Sequence, residues 1–358
     1  MIFQNTVVRF IAFFIPVKDI RDNFIKSYSR KTKFAKLRND NKLLLKQNKH
    51  ILNDIKQLYV ENIETKKRLQ RIETILTNNS FMGLIQVPTR PVVYLSILVI
   101  AKNEAPYLKE WIEYHKLVGV ERFYFYDNDS TDNTKEVLKP YINDGTVIYH
   151  EKPGKKQMMP AYLECIHKYG RETRWLAIID MDEFIVPVEK DSISDFLRDY
   201  EKYSAVGVNW IMFDSNGHKT KPNAHGGMLS ANYTRVEKDY KDKLKGSLHI
   251  KSIVNPKVVV TIVNPHYAIY KGGAGAVTEN FETVYGPFTN IHSSSKIQIN
   301  HYFTKSEEEY KKRCNGGKPD SLAPKNFREN ALNHRNPTND YTIQKFLPRL
   351  KLAMGVKD

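Results

Sequence analysis

Three carboxylates, Asp180, Asp182 and Glu183, fall within four residues in the segment Ile178-Ile179-Asp180-Met181-Asp182-Glu183-Phe184-Ile185-Val186-Pro187. They follow the apolar run Trp175–Ile179, which reads as a buried strand. An unpaired carboxylate is costly to bury, so a strand tip carrying three must hold a cation or open into a solvated crevice. Asp180 and Asp182 are two apart, which in an extended segment sends both side chains to the same side. Two such oxygens, joined by phosphate oxygens from a ligand, make a hard-cation site suited to Mg²⁺ or Mn²⁺. The competing reading is an acidic strand end that stays wet, because D-x-D is short and common.

The elements upstream decide whether such a tip can face a ligand. Val92–Ile100 reads as a buried strand of the parallel-sheet type, followed by a helix from Tyr107 to Val118 that Gly119 ends. A strand over Glu121–Tyr126 runs into the turn-forming Asp127–Thr134, and a helix over Lys135–Tyr141 follows with Thr134 as its cap. A third strand spans Thr146–His150 and a third helix Met158–Tyr169. Strands alternating with helices predict an α/β fold with a mostly parallel sheet. Ligands of such sheets bind beyond the carboxyl ends of the strands. The polar loops at Asn103/Glu104, Asp127–Ser130 and Asp180–Glu183 all belong to those ends.

The chain of 358 residues is long enough for one main domain with an appendage, and its 41% hydrophobic and 27% charged residues are ordinary for a globular protein. Its two cysteines, Cys165 and Cys314, cannot build a disulfide framework and fit a reducing compartment. Residues 1–80 hold 17 Lys/Arg against 7 Asp/Glu, a net +10 of the chain's +16. The natural partners of that appendage are anionic lipid or nucleic acid. Residues 1–33 begin with the apolar stretch Val7–Val17, which is aromatic-rich, interrupted by Arg9, and followed by a run of cations. A spanning helix needs roughly 20 apolar residues. The segment reads instead as an interfacial foot on an anionic membrane surface, with a helix that packs on its own protein as the competing reading, and no small-residue cleavage site marks it as a signal peptide. Residues 34–78 carry a heptad pattern over 37–76, with Leu37, Leu44, Ile51 and Leu58 in one series and Asn41, Asn48, Ile55 and Asn62 in the other. Asn at a-type positions favours a parallel in-register homodimer, here a stalk of about 60 Å, with a single amphipathic helix lying on the globular domain as the competing reading. Residues 79–91 read as a linker, 92–335 as the globular α/β domain, and 336–358 as a basic amphipathic C-terminal helix that packs on it.

Several ordered segments resemble glycosyltransferase family 92 and the related family 2-like enzymes. They are Asn103-Glu104-Ala105 with Glu110–His115, Tyr126–Thr134, Trp175–Pro187, Trp210–His218, Lys251–Pro256 and Ile299–Ser306. The resemblance covers about residues 95 to 315 and implies a GT-A fold, a Rossmann-like nucleotide half continuous with an acceptor half. It implies a nucleotide-sugar donor, most often a UDP-sugar, a D-x-D motif on Mn²⁺ or Mg²⁺, and transfer of a galactose-like hexose with inversion. Under that resemblance Asp182 is the direct metal ligand, and Asp180 binds the metal or the ribose hydroxyls. Asp127 belongs on the uracil or ribose, and Asn103 and Glu104 line the nucleotide pocket. Lys156 and Gln157 approach the diphosphate or sugar, with an ordinary surface loop as the competing reading for Lys156. His301 is either a structural histidine among aromatics or a further metal ligand. His218 and Lys251 meet phosphate or acceptor. Inversion needs a base for the acceptor hydroxyl. Asp214, where the family usually has glycine, and Glu279 are the candidates, and Ala231-Asn232 stands where the family has Glu-Arg.

The reading is a metal-dependent hexosyltransferase, peripheral on the cytoplasmic face of the membrane, that extends a glycan or glycolipid of the cell surface. Its alternative is a non-catalytic coiled-coil scaffold of a glycan-assembly complex. No nucleic-acid-binding motif accompanies the basic N-terminus, so nucleic acid is not an expected partner.

Overall fold

The computed structural model describes residues 92–238, 245–315 and 329–356, together with Asp22 and Lys26. The chain divides into two units, Met1–Val87 and Pro88–Asp358. Asp22 and Lys26, both helical and exposed, belong to the first, and the fold belongs to the second. Apart from those two positions, the expected membrane segment (1–33), coiled coil (34–78) and linker (79–91) lie outside the described residues. No described helix is long and apolar enough to cross a membrane.

The first half alternates strand and helix: β1 (Val93–Ala101), α1 (Ala105–Leu117), β2 (Arg122–Asp127), α2 (Thr134–Asn143), β3 (Val147–Glu151), α3 (Met158–Tyr169) and β4 (Thr173–Ile178). All pairings among β3, β2, β1 and β4 are parallel. Ala101 pairs with Asp127 and Asp127 with Glu151, so the carboxyl ends of three strands share one rim. The chain then turns into β5 (Glu183–Pro187), short helix α4 (Ile193–Leu197) and β6 (Ala205–Met212). Short helix α5 (Leu229–Asn232), β7 (Arg235–Glu237), β8 (Ile250–Val254), β9 (Val259–Asn264) and β10 (Tyr267–Tyr270) come next. β11 (Ala276–Val277), β12 (Thr283–Val284) and β13 (Ile297–His301) complete the main sheet. Helices α6 (Glu307–Asn315) and α7 (Glu329–Leu332) and strand β14 (Pro337–Asn339) lead to the last helix, α8 (Leu347–Met354).

The sheet is ten-stranded and mixed. β8 lies antiparallel between β4 and β6, and β13 lies parallel to β6 and antiparallel to β5. The expected parallel character therefore holds for the first four strands and gives way at β8.

Alternation along β1 divides the core. Leu95, Ile97 and Val99 face α1, α2 and the C-terminal segment, whereas Leu98 faces Tyr124, Tyr126 and α3. Pro106 sits in the first turn of α1, where its missing N–H costs nothing. α1 then anchors the strand that follows the acidic motif. Trp111 Nε1 donates to the Glu183 carbonyl (2.8 Å) and Tyr114 Oη to the Ile185 carbonyl (3.1 Å). His115 Nδ1 donates to the Trp111 carbonyl (2.8 Å), leaving Nε2 to accept from the Ile185 N–H (3.3 Å). Burial pushes His115 down to about 3, so the imidazole is neutral, as this pairing requires. The expected cap Thr134 is instead the first residue of α2, behind Asn133, which makes no side-chain cap bond, and Asp132 Oδ1 accepts from the Thr134 N–H (3.1 Å) and hydroxyl (2.6 Å). At the chain's end Ile343, Phe346 and Leu350 are buried in the same core layer as α1, and Pro348 lies in the first turn of α8.

Candidate active site

The rim at the carboxyl ends of β1, β2 and β3 is tied together by short polar side chains. Asn103, in the left-handed region at φ 58°, accepts from the Thr131 N–H through Oδ1 (2.7 Å), and its own N–H donates to Ser130 Oγ (3.0 Å). Asn tolerates this conformation better than other non-glycine residues. Asp127 is buried at the tip of β2, accepting from the Ser130 N–H (2.9 Å) and Tyr149 Oη (2.8 Å). Asn128 Nδ2 donates to the carbonyls of Lys152 and Gly154 (both 2.7 Å), and Gly154 N–H donates back to Asp129 (2.8 Å). Lys156, also at positive φ, is exposed, and Gln157 begins α3. Glu104 leads α1 and pairs with Lys305 (2.5 Å), which also lies over the Tyr107 ring.

The acidic motif lies beside this rim. It forms a turn rather than an extended segment, with Glu183 N–H donating to the Asp180 carbonyl (3.1 Å). The two aspartates accordingly meet different partners. Asp180 receives Lys251 Nζ from β8 (2.8 Å), and the same ammonium lies 3.6 Å from Glu183. Glu183 also accepts from the Asp180 N–H (2.9 Å), which holds the turn shut. Asp182 faces Arg313 of α6, which also donates to the Phe303 carbonyl (3.0 Å), and His301 Nε2, 3.5 Å from Oδ2. The Lys251 side chain is 1% exposed and that of Asp182 4%, whereas Asp180 keeps 32% and is the carboxylate that a ligand can reach.

These pairings set the charges. Burial opposes ionisation of Asp182, but Arg313, then His301 and Lys305, outweigh it and hold the carboxyl well below its usual range. Burial, with Asp180 and Asp182 nearby, pushes Glu183 well above its usual range against the pull of Lys251. Lys251 moves upward: burial disfavours its charge, and Asp180 and Glu183 more than restore it.

A divalent ion fits two of the three expected ligands. His301 is buried, and neither ring nitrogen has a hydrogen-bond partner, an arrangement a metal would satisfy. Its Nε2 and Asp182 Oδ2 are close enough to share one ion. Asp180 is turned to Lys251, and among the described residues no three His, Cys, Asp or Glu side chains gather as a metal cluster. Two protein ligands suffice for an ion that takes its remaining oxygens from a substrate phosphate.

The other expected residues lie elsewhere. Asp214 follows β6 and is filled by Arg235 Nε (2.8 Å to each oxygen), the Asn216 N–H (2.8 Å) and the His334 N–H (2.9 Å). Glu279 sits at the far end of β13 from His301. It accepts from Ser293 Oγ, the N–H and hydroxyl of Ser295 (both 2.8 Å), and the N–H groups of Lys296 (2.8 Å) and Ile297 (2.9 Å). Both carboxylates are occupied in holding loops, so neither is placed to take a proton from an acceptor. Acidity is visible in a sequence, but the N–H groups folded around it are not. His218 has its Nε2 at the Asn232 carbonyl (3.0 Å). Residues that the sequence reading missed are Arg313, Lys305 and Trp210, whose ring lies 4.4 Å from that of His301. Trp210 was within reach of that reading, because it opens one of the segments that carry the resemblance. Nothing local marks Arg313.

The model of glycosyltransferase family 92 matches residues 93–336. A family 92 protein of Arabidopsis thaliana is 27% identical over 192 residues, covering 51% of this chain and 32% of its own length. The galactan beta-1,4-galactosyltransferase GALS2 of the same plant is 34% identical over 118 residues, covering 30% of this chain and 23% of its own. The chain thus spans about a fifth to a third of the length of the curated relatives it matches. Among solved structures, S. aureus TarS 1-349 in complex with UDP aligns at 15% identity with a TM-score of 0.30, covering 46% of this chain and 47% of that one. With the family model matched over most of its length, the chain belongs to glycosyltransferase family 92.

Proposed function

We propose that the chain is a metal-dependent, inverting hexosyltransferase that moves a galactose-like sugar from a UDP-sugar to a hydroxyl of a surface glycan. The observation that carries this reading is the Asp182–His301 pair, a buried carboxylate beside an imidazole with no hydrogen-bond partner. Galactose is supported by the relatives named as galactan beta-1,4-galactosyltransferases. Asp182 and His301 would hold Mn²⁺ or Mg²⁺, which when bound supplies Lewis-acid neutralisation of the leaving diphosphate. Lys251 fixes Asp180 with part of its carboxylate open to the crevice, where it can accept from ribose hydroxyls. Asp127, Asn103 and Glu104 form the rim on which the nucleoside rests. Lys156 and Gln157 stand at the N-terminus of α3, where a helix dipole favours the diphosphate.

Asp182→Asn tests the metal role. Mn²⁺-dependent release of UDP from UDP-galactose should fall at least ~100-fold, with an unchanged circular dichroism spectrum. Retained turnover would refute the role.

On sequence grounds, residues 1–33 attach the enzyme peripherally to the cytoplasmic face of the membrane, and residues 34–78 pair two copies. Removing 1–33 should release the protein from anionic vesicles. Unchanged co-sedimentation would remove that attachment.

A further inference from the structure

Beside the Asp182–His301 pair, the aromatic residues of the acceptor half line up toward the surface. Trp210 lies with its ring 4.4 Å from that of His301 and stacks on His249 at 5.0 Å with an interplanar angle of 21°. His249 in turn contacts Phe288 at 4.2 Å. The strand pairing explains the line. Trp210 N–H donates to the His249 carbonyl (3.1 Å) across the antiparallel β6–β8 pair. His249 is two residues before Lys251, so both belong to one face of the sheet. The row of rings therefore starts on the face that carries the Lys251–Asp180 pair and ends at Phe288, which is 50% exposed, with Ile291 exposed nearby in sequence.

The outer end is built rigidly. Ile250 N–H donates to the Pro287 carbonyl (3.1 Å) and Thr289 N–H to the Leu248 carbonyl (2.9 Å). Asn209 Nδ2 reaches Thr289 Oγ1 (2.8 Å), and a β-bridge joins His249 to Phe288. An exposed phenyl ring locked in place by backbone bonds is preorganised, so a partner that covers it loses little entropy.

The edges of the rings are polar, which selects the kind of partner. Trp210 Nε1, a donor only, is buried without a hydrogen-bond partner. His266, packed edge-on to Trp210 at 5.0 Å, donates from Nδ1 to the Ile250 carbonyl (3.0 Å), which leaves Nε2 as an acceptor. Burial and then Lys251 push His266 down to about 4, so it is neutral. Trp210 Nε1 is itself shielded, so the acceptor nitrogen of half-buried His266 is the polar group beside the rings, and a purely apolar partner would leave it unused. A pyranose has a C–H face to lay on a ring and hydroxyls around its edge.

We propose that Trp210, His249 and Phe288 form the acceptor platform, on which the sugar units behind the reacting hydroxyl stack. The proposal rests on the transferase reading, and it names the substrate class that the second half of the site takes.

Tryptophan fluorescence of the full chain tests it. Trp111 and Trp175 are fully buried, so Trp210 is the responsive indole among the described residues. Titration with a panel of oligosaccharides, β-linked galactose, glucose and N-acetylhexosamine tetramers, should give a saturable change with at least one member. The change should disappear in Trp210→Phe, and in Phe288→Ala the affinity should fall at least ~5-fold, the size expected for losing one stacked ring. Equal affinity in Phe288→Ala, or no response to any tetramer, would overturn the platform. A Phe288-dependent response to lipid vesicles alone would assign the patch to a membrane surface and overturn it equally. Mn²⁺-dependent hydrolysis of UDP-galactose by the unaltered protein tests the donor reading separately. Hydrolysis without oligosaccharide binding sinks the platform alone, and binding without hydrolysis sinks the donor reading alone.

Discussion

The two halves of the sheet bring opposite charges to their junction. From the parallel half come carboxyl groups: Glu104 after β1 and Asp180, Asp182 and Glu183 after β4. From the mixed half come the cations Lys251 on β8, Lys305 just beyond β13 and Arg313 on α6, with the His301 imidazole at the end of β13 beside Asp182. Each side alone would bury charge that it cannot compensate, and desolvated charge is tolerated only when paired. The contrast teaches that the crevice is an electrostatic seam. Its carboxylates are already matched to cations of the protein, and a donor or metal must enter by exchanging partners.

The strongest way to break this comparison is to remove the deepest cation. Lys251→Met leaves Asp180 and Glu183 without their ammonium and should cost about 3–5 kcal/mol, the range for uncoupling a buried pair. Urea unfolding at neutral pH measures it, and an unchanged midpoint would mean that the halves are not joined through charge. Arg313→Gln has a smaller effect and sharpens the picture through pH. Asp182 is held below its ordinary value, so it adds stability that is complete above about pH 4 and lost as pH falls toward its lower folded value. Without Arg313 the folded value rises, and that acid loss should shrink. Unfolding midpoints between pH 6 and pH 3 would show the two proteins converging at the acid end. The same variant should bind Mn²⁺ severalfold more tightly by calorimetry, because a competing cation has left Asp182. Weaker binding would show that Arg313 helps to assemble the metal site instead. The smallest effect belongs to the parallel half. Asn103→Ala loses the bond to Thr131 at a left-handed position and should destabilise by about 1–2 kcal/mol, with a modest rise in the donor KM.

The same contrast decides what could be read in advance. Val92–Ile100, Glu121–Tyr126 and Thr146–His150 are segments rich in β-branched and aromatic residues and bounded by turn formers, and each forms its strand within a residue or two. Local pattern suffices there: β1 and β2 are buried on both faces and have little choice of composition, and the edge strand β3 keeps the β-branched and aromatic residues of a strand. The mixed half is held by pairings between distant segments. β13 finds β5 more than a hundred residues upstream, and Lys251 reaches Asp180 across 71 positions. The acidic motif was legible as chemistry but not as shape. Alternation predicts both aspartates on one side, whereas the Asp180–Glu183 turn separates them, because Trp111 and Tyr114 of α1 capture the backbone just beyond. Asp214 and Glu279 show the same blind spot. Their side chains are acidic for the sake of N–H groups that come together only after folding.

Glu279 carries a consequence of its own. Five bonds pin the segment entering β13 to one carboxylate, and His301 is the last residue of that strand. Side chains alternate along a strand, so a slip by a single position would turn the imidazole away from Asp182. A residue one strand-length from the chemistry thus works as the zero mark of a ruler. A screen that scores only lost turnover would mistake it for a reagent, whereas the injury would be one of alignment.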